Sequence, residues 1–250
     1  MAGHLSGLAS QIRREEPKAL FVHCLAHSVN LCLQECAKSS RPVRDALALV
    51  KELYNLIQLS PKRLAWFNRL KDELAPQNPT LKPLCPTRWT VRTAAIDAVL
   101  KNYALLYPEL EKINEDSSGE GSTKAAGLLP LMEKCSTYFG LKLSYLAFVA
   151  TEQLAITLQG KDVNAQVSTS AVNATKSFLQ RQRSTESFNT FYQSAVVESQ
   201  SQKLTSEPVL SRQSSQYQSV EPYFRQQYFE VLDILNNEIE RRFDQEGLKL

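Results

Sequence analysis

The 250-residue chain is predicted to fold mainly as α-helices, and two observations predict it. Glycine occurs 8 times and proline 11 times, leaving long stretches free of both, whereas strand-rich folds need frequent turn punctuation. Apolar residues also recur at three- and four-residue steps in several segments, the spacing that lines one face of a helix. At 43% hydrophobic and 22% charged, the composition is that of a globular chain with enough apolar mass for a core.

From the N-terminus, Ala19 to Cys24 is an apolar run after Pro17 and reads as a short buried strand leading into a helix from Ala26. A lone strand is unstable, so its partners are expected outside this chain, or the segment is coil. From Pro42, the residues Val43, Ala46, Leu47, Val50, Leu53, Tyr54 and Ile57 make one stripe of an amphipathic helix that Ser60-Pro61 ends. Pro61 suits the first position of the next helix, where a missing N–H costs nothing. That helix runs through Leu64, Phe67 and Leu74, with Trp66 beside the stripe and Lys62, Arg63, Arg69 and Lys71 around it. Three prolines between Asn78 and Pro86 predict an extended strip.

Residues 90–107 return to a helical pattern that should stop at Pro108, and the Gly/Ser-rich stretch 115–123 reads as a mobile loop. Leu128–Phe139 and Leu141–Leu158 follow as helices, the second so uniformly apolar that it is expected at the centre of the core. A polar helix is predicted over 163–203, anchored sparsely by Val167, Ala171, Phe178, Phe188, Phe191 and Tyr192. Residues 199–219 read as a linker or crossover. Tyr228, Val231, Leu232, Leu235, Ile239 and Phe243 then mark a closing amphipathic helix with the charges of Glu238–Phe243 on its outer side.

The formal charge of +3 permits a polyanionic partner without arguing for one. Five cysteines at 24, 32, 36, 85 and 135 are an odd number with no framework spacing, which points to reduced thiols in the cytosol or nucleus. No secretory signal and no run of about 18 apolar residues is present, so neither secretion nor a membrane partner is expected.

Two constellations could carry chemistry. Cys24, His27, Cys32 and Cys36 are of the types zinc prefers, yet Cys32 and Cys36 share a helical face from which His27 is at least a turn away. Packing of small apolar thiols in a helix is the favoured reading and a zinc set the alternative. The second is the run 85–92, in which Thr87 or Thr90 could cap a helix, Arg88 offers a fork of donors to phosphate, and Trp89 offers a flat face to an unstacked base. Arg92 one turn on, with Lys62, Arg63 and Arg69, would add positive charge if they share its surface. An arginine covering a core tryptophan is the bland alternative. The carboxylates are dispersed: Glu15, Glu16, Glu109 and Glu111 read as solvated, Asp45, Asp97, Asp162 and Asp233 stand singly, and no catalytic motif is found.

Cys24-x-x-His27-x-x-Asn30-Leu31 and Thr87-Arg88-Trp89, with the segments LQGKDVNAQ and EPYFRQQYFEVLDILNNEIERRF, resemble the hAT-type DDE transposases over nearly the whole chain. The similarity is closest to the transposase-derived proteins fused to MYM-type or TTF-type zinc fingers. The resemblance implies an RNase H-like α/β core interrupted by an all-helical insertion. Residues 1–40 would be a remnant of that core (helix, strand, helix), 41–198 the helical insertion, 199–219 a linker or crossover, and 220–250 a helix returning toward the core.

On the same resemblance, two catalytic aspartates would lie upstream of residue 1 and the glutamate beyond residue 250. Strand transfer needs two divalent metals held by all three. The resemblance therefore implies no catalysis and no cofactor, Mg²⁺ entering only if a longer chain supplies those acids. Cys24 and His27 match a motif near the family active site, Trp89 matches a base-stacking tryptophan and Arg88 its backbone-contacting neighbour. A nuclear protein with weak DNA binding through Thr87, Arg88, Trp89 and Arg92 is expected, open to self-association and without a small-molecule substrate. The competing expectation is a domesticated helical module that binds protein instead of DNA, and a third is a decayed element with no selected function.

Overall fold

A computed structural model describes residues 7–19, 24–84, 92–116, 119–161, 163–204 and 220–244. Among these residues the chain is mainly helical, with eleven helices and no β-strand. The helices are α1 (Leu8–Glu15), α2 (Leu25–Ser39), α3 (Arg41–Gln58), α4 (Pro61–Leu74), α5 (Arg92–Lys101) and α6 (Tyr103–Asp116). They continue with α7 (Glu120–Met132), α8 (Cys135–Leu158), α9 (Ala165–Gln182), α10 (Thr185–Ser201) and α11 (Val220–Phe243). Of the strand expected over Ala19–Cys24, residues 20–23 lie outside the described residues; of the linker expected over 199–219, residues 199–201 are the end of α10, and 205–219 lie outside the described residues.

The core is built around α8, which packs on α2, α3, α5, α7, α9, α10 and α11. Its apolar residues leave almost no polar face, so burial from several sides removes more apolar surface from water than any one-sided packing would. Gly140 lets the start of α3 come close: a Cβ there would stand 3.0 Å from the backbone oxygen of Pro42. Polar residues inside α8 are satisfied locally, since Ser144 donates to Gly140 O (2.7 Å) and Thr151 to Ala147 O (2.9 Å). Rings from α8, α10 and α11 join at the other flank, with Phe139 and Phe224 4.3 Å apart and Phe191 and Tyr228 5.1 Å apart. Helix α2 packs on α3, α8 and α11, so residues 25–39 belong to the same helical body, and no separate α/β piece is present among the described residues.

Helices α3 and α4 match the periodicity, including Pro61 at a helix start and a Ser60 hydroxyl that accepts from Arg63 N–H. Several breaks fall elsewhere than predicted. The helix after residue 90 ends at Asn102 instead of at Pro108, which lies inside α6. Asn102 is fully buried; its side-chain Nδ2 donates to Ala98 O (2.7 Å) and Pro79 O (2.8 Å), and its backbone carbonyl accepts from Leu105 and Leu106 N–H at 2.9 Å. A buried side chain that serves two carbonyls makes a better break here than a proline on the exposed side.

The expected loop 115–123 is largely helical, as α6 runs to Asp116 and α7 starts at Glu120. The two helices are antiparallel, with Ser122 donating to Asn114 O (2.8 Å) at one end and Tyr103 to Met132 O (2.8 Å) at the other. The boundary expected near Gly140 sits instead at residues 133–134. The polar helix of 163–203 is two helices, because Arg183-Ser184 breaks it and the Ser184 hydroxyl caps α10 from Ser187 N–H (3.0 Å). Val167 is 41% exposed, and α9 buries the neighbouring stripe Ser168, Val172, Thr175 and Leu179.

Candidate nucleic-acid interface

The Arg-Trp junction connects two flanks that are each fixed to the helical body. On its N-terminal side, Leu81 is buried and Leu84 packs on the core, while Asn78 Nδ2 donates to Lys101 O (2.7 Å). Together with Asn102 on Pro79, this binds the extended strip to the α5–α6 junction. Thr87, Arg88 and Trp89 themselves lie outside the described residues.

On the C-terminal side the expectation for Arg92 is corrected. Arg92 is 6% exposed, and its guanidinium carbon stands 5.9 Å from the centre of the Phe148 ring on α8. Its aliphatic stem and planar head fill space between helices, a use for which arginine is well suited. Thr93 N–H donates to Glu152 Oε1 at 2.8 Å, and Glu152 is buried too. A carboxylate from α8 therefore serves the N-terminal end of α5, where negative charge is favoured. The sequence points to threonines for this role because capping motifs are local, and Glu152 is 59 residues away.

Three of the four cations of α4 pair with carboxylates. Lys62 pairs with Asp116 (2.7 Å), Arg69 with Glu73 (2.9 Å) and Lys71 with Asp72 (3.3 Å). Trp66 carries two ammonium groups over its ring, Lys62 at 4.7 Å and Lys112 at 4.4 Å from its centre. Arg63 differs: it makes no ion pair among the described residues and its buried Nε has no hydrogen-bond partner, so the positive charge is compensated at Lys62, Arg69 and Lys71.

The Cys24–Cys36 group divides between solvent and core. Cys24 and His27 are exposed in the first turns of α2, whereas Cys32 and Cys36 are fully buried, and burial pushes both thiols up to about 12. A thiol so far above neutral pH is held as a packing group. Among the described residues no three His, Cys, Asp or Glu side chains converge as metal ligands.

Three polar features escaped the sequence reading. Glu109, expected at the solvated surface, is 1% exposed with Oε1 unpartnered. Burial pushes its carboxyl up to about 7, against a small opposing pull from Lys112. Glu238, expected outward, tucks its carboxylate beneath Arg241 and Arg242 (2.7 and 2.9 Å), and only Arg241 reaches well into solvent. At the α8–α10 contact, Glu198 accepts from Tyr138 (2.7 Å), from Ser194 (2.8 Å) and from Lys142, which also donates to Ser194 (2.8 Å). Burial alone would raise the Glu198 carboxyl, but these donors outweigh it and hold it below the ordinary carboxylate range. Every member of the cluster has a partner, so it fixes two helices together and leaves no group poised for reaction.

No helix among the described residues is long and apolar enough to cross a membrane. No family model matches the chain, and no solved structure matches its fold.

Proposed function

We propose that this chain is a transposase-derived helical body that binds DNA without catalysing its cleavage, through Thr87, Arg88 and Trp89. The observation that carries the reading is the anchoring of both flanks of residues 85–91, by the Asn102–Pro79 contact on one side and by Arg92 on Phe148 with Thr93 on Glu152 on the other. A contact segment whose flanks are both held loses less freedom when it engages a ligand. Arg92 acts in this reading as a positioning residue. Cys24-x-x-His27 carries the proposed descent of residues 1–40 from an RNase H-like core, and a nuclear location belongs to the same proposal.

In the proposed contact, Arg88 pairs with phosphate while an unpaired base stacks on Trp89. The test is fluorescence anisotropy with hairpin and plain duplex DNA over a salt series. Binding should weaken log-linearly with salt, and Trp89→Ala should weaken hairpin binding by about 1–3 kcal/mol and duplex binding less. A flat salt response, or no binding, sinks the proposal and favours the second reading, a helical protein-interaction module. One observation favours that alternative: Val149 and Ile156, two turns apart on the outer face of α8, are 39% and 50% exposed.

A further inference from the structure

We propose that Thr185 is a phosphorylation site for a kinase that reads arginines on the N-terminal side of its substrate, and that the phosphate ties the start of α10 to α11 through Arg225. The inference is independent of the proposed DNA contact. Arg181 and Arg183 precede Thr185 by four and two residues, in the exposed break between α9 and α10. Basic residues at short distances before a hydroxyl are the charge pattern by which such kinases choose substrates.

Three hydroxyls stand in this break, and their hydrogen bonds separate them. Ser184 Oγ donates to Ser187 Oγ (2.9 Å) while capping Ser187 N–H, and Ser187 Oγ donates to the carbonyl of Arg181 (3.0 Å). Thr185 is exposed, and its Oγ1 only accepts, from Arg225 Nη2 at 2.5 Å. Among the described residues its own proton goes to no acceptor, so it is the hydroxyl of the three that can be esterified without breaking a bond it donates.

The arginine opposite it is held and uncompensated. The Arg225 guanidinium lies over Phe229 (5.5 Å) and Phe188 (5.6 Å), and it pairs with no carboxylate among the described residues. Arg183 lies over the same Phe229 ring at 4.6 Å but is already paired with Asp233. A guanidinium fixed by two rings, with donors left over, suits a phosphate, whose oxygens accept in the geometry of that fork. The exposed Glu186 is the adjacent carboxylate in sequence. In the transfer, Thr185 Oγ1 attacks the γ-phosphorus of a nucleoside triphosphate and gives its proton to the kinase's base. The Oγ1–P bond forms, the bond from that phosphorus to the β–γ bridging oxygen breaks, and the diphosphate leaves. The neutral contact to Arg225 then becomes a charge-assisted one between helices that are 40 residues apart in sequence at this point.

The full 250-residue chain is incubated with ATP and Mg²⁺ and either cyclic-AMP-dependent kinase or protein kinase C, both selective for basic substrates. Site-resolved mass spectrometry should place the phosphate on Thr185, and the thermal midpoint should rise by about 2–4 °C. Arg225→Gln is compared with its own unphosphorylated form, so any loss of ring stacking cancels, and the rise should vanish. Phosphorus NMR of the parent chain reads the same contact without a variant. The second ionisation of the phosphate should occur at lower pH than in a phosphorylated peptide of residues 181–189, because the guanidinium favours the dianion. No phosphate on Thr185 with either kinase, phosphate on Ser184 or Ser187 in its place, an equal rise in both chains, or ionisation as in the peptide would each overturn the proposal.

Discussion

Glu109 shows how far one residue's environment can depart from its type. A glutamate flanked by Pro108 and Leu110 has the local look of a solvated helix face, but the packing around α6 leaves it 1% exposed with an unpartnered oxygen. Its carboxyl is pushed up by burial, from 4.5 to about 7. The folded state therefore keeps a proton that the unfolded chain has released between those values, and stability falls as pH rises from about 4.5 to about 7, then stays level. Replacing Glu109 by Gln removes that loss. Urea melts should show the variant gaining roughly 1–3 kcal/mol more over the parent chain at pH 8 than at pH 5. An equal difference at both pH values would mean that Glu109 ionises as an ordinary surface carboxylate.

At the scale of the element, the helices were legible wherever the apolar stripe is long and punctuated, as in α3, α4, α8 and α11. Their ends were less so, because the signals that end them come from elsewhere in the fold. Asn102 breaks α5 from α6 by bonding Pro79, and Glu152 serves the start of α5 from α8. Glycines illustrate the same dependence on neighbours. A Cβ at Gly127 in α7 would meet nothing within 4 Å, whereas one at Gly140 in α8 would press on the Pro42 carbonyl. Gly127→Ala should thus stabilise the chain by about 0.5–1 kcal/mol through helix propensity. Gly140→Ala should destabilise it by about 0.5–2 kcal/mol, because separating α3 from α8 costs more than the propensity gained. Chemical denaturation of the two variants checks the opposite signs, and a stabilised Gly140→Ala would show that α3 shifts freely.

Across the whole molecule, α8 carries the others, and access to the cysteines follows from that arrangement. Cys24 is exposed, while Cys32, Cys36 and Cys135 are buried in the packed body. In the folded chain a thiol reagent should label Cys24 quickly. Cys32, Cys36 and Cys135 should react only as fast as the helical body opens, since buried core positions exchange through the largest unfolding events. Site-resolved mass spectrometry under native conditions measures this directly. Rapid labelling of Cys32 or Cys36 would mean that α2 detaches from α3, α8 and α11 as a separate piece.

The sequence by itself determined that the chain is helical, which helices are amphipathic, and that one apolar segment must be central, because these follow from the spacing of apolar residues along a single strand of text. Only the tertiary structure decided where helices break, that Arg92 faces Phe148 and not the surface, and that Cys24 and Cys36 lie on opposite sides of the solvent boundary. Those outcomes depend on partners such as Glu152, Pro79 and Phe148 that are far away in sequence. Burial and hydrogen bonding between distant residues are properties of the packed body, and no local pattern encodes them.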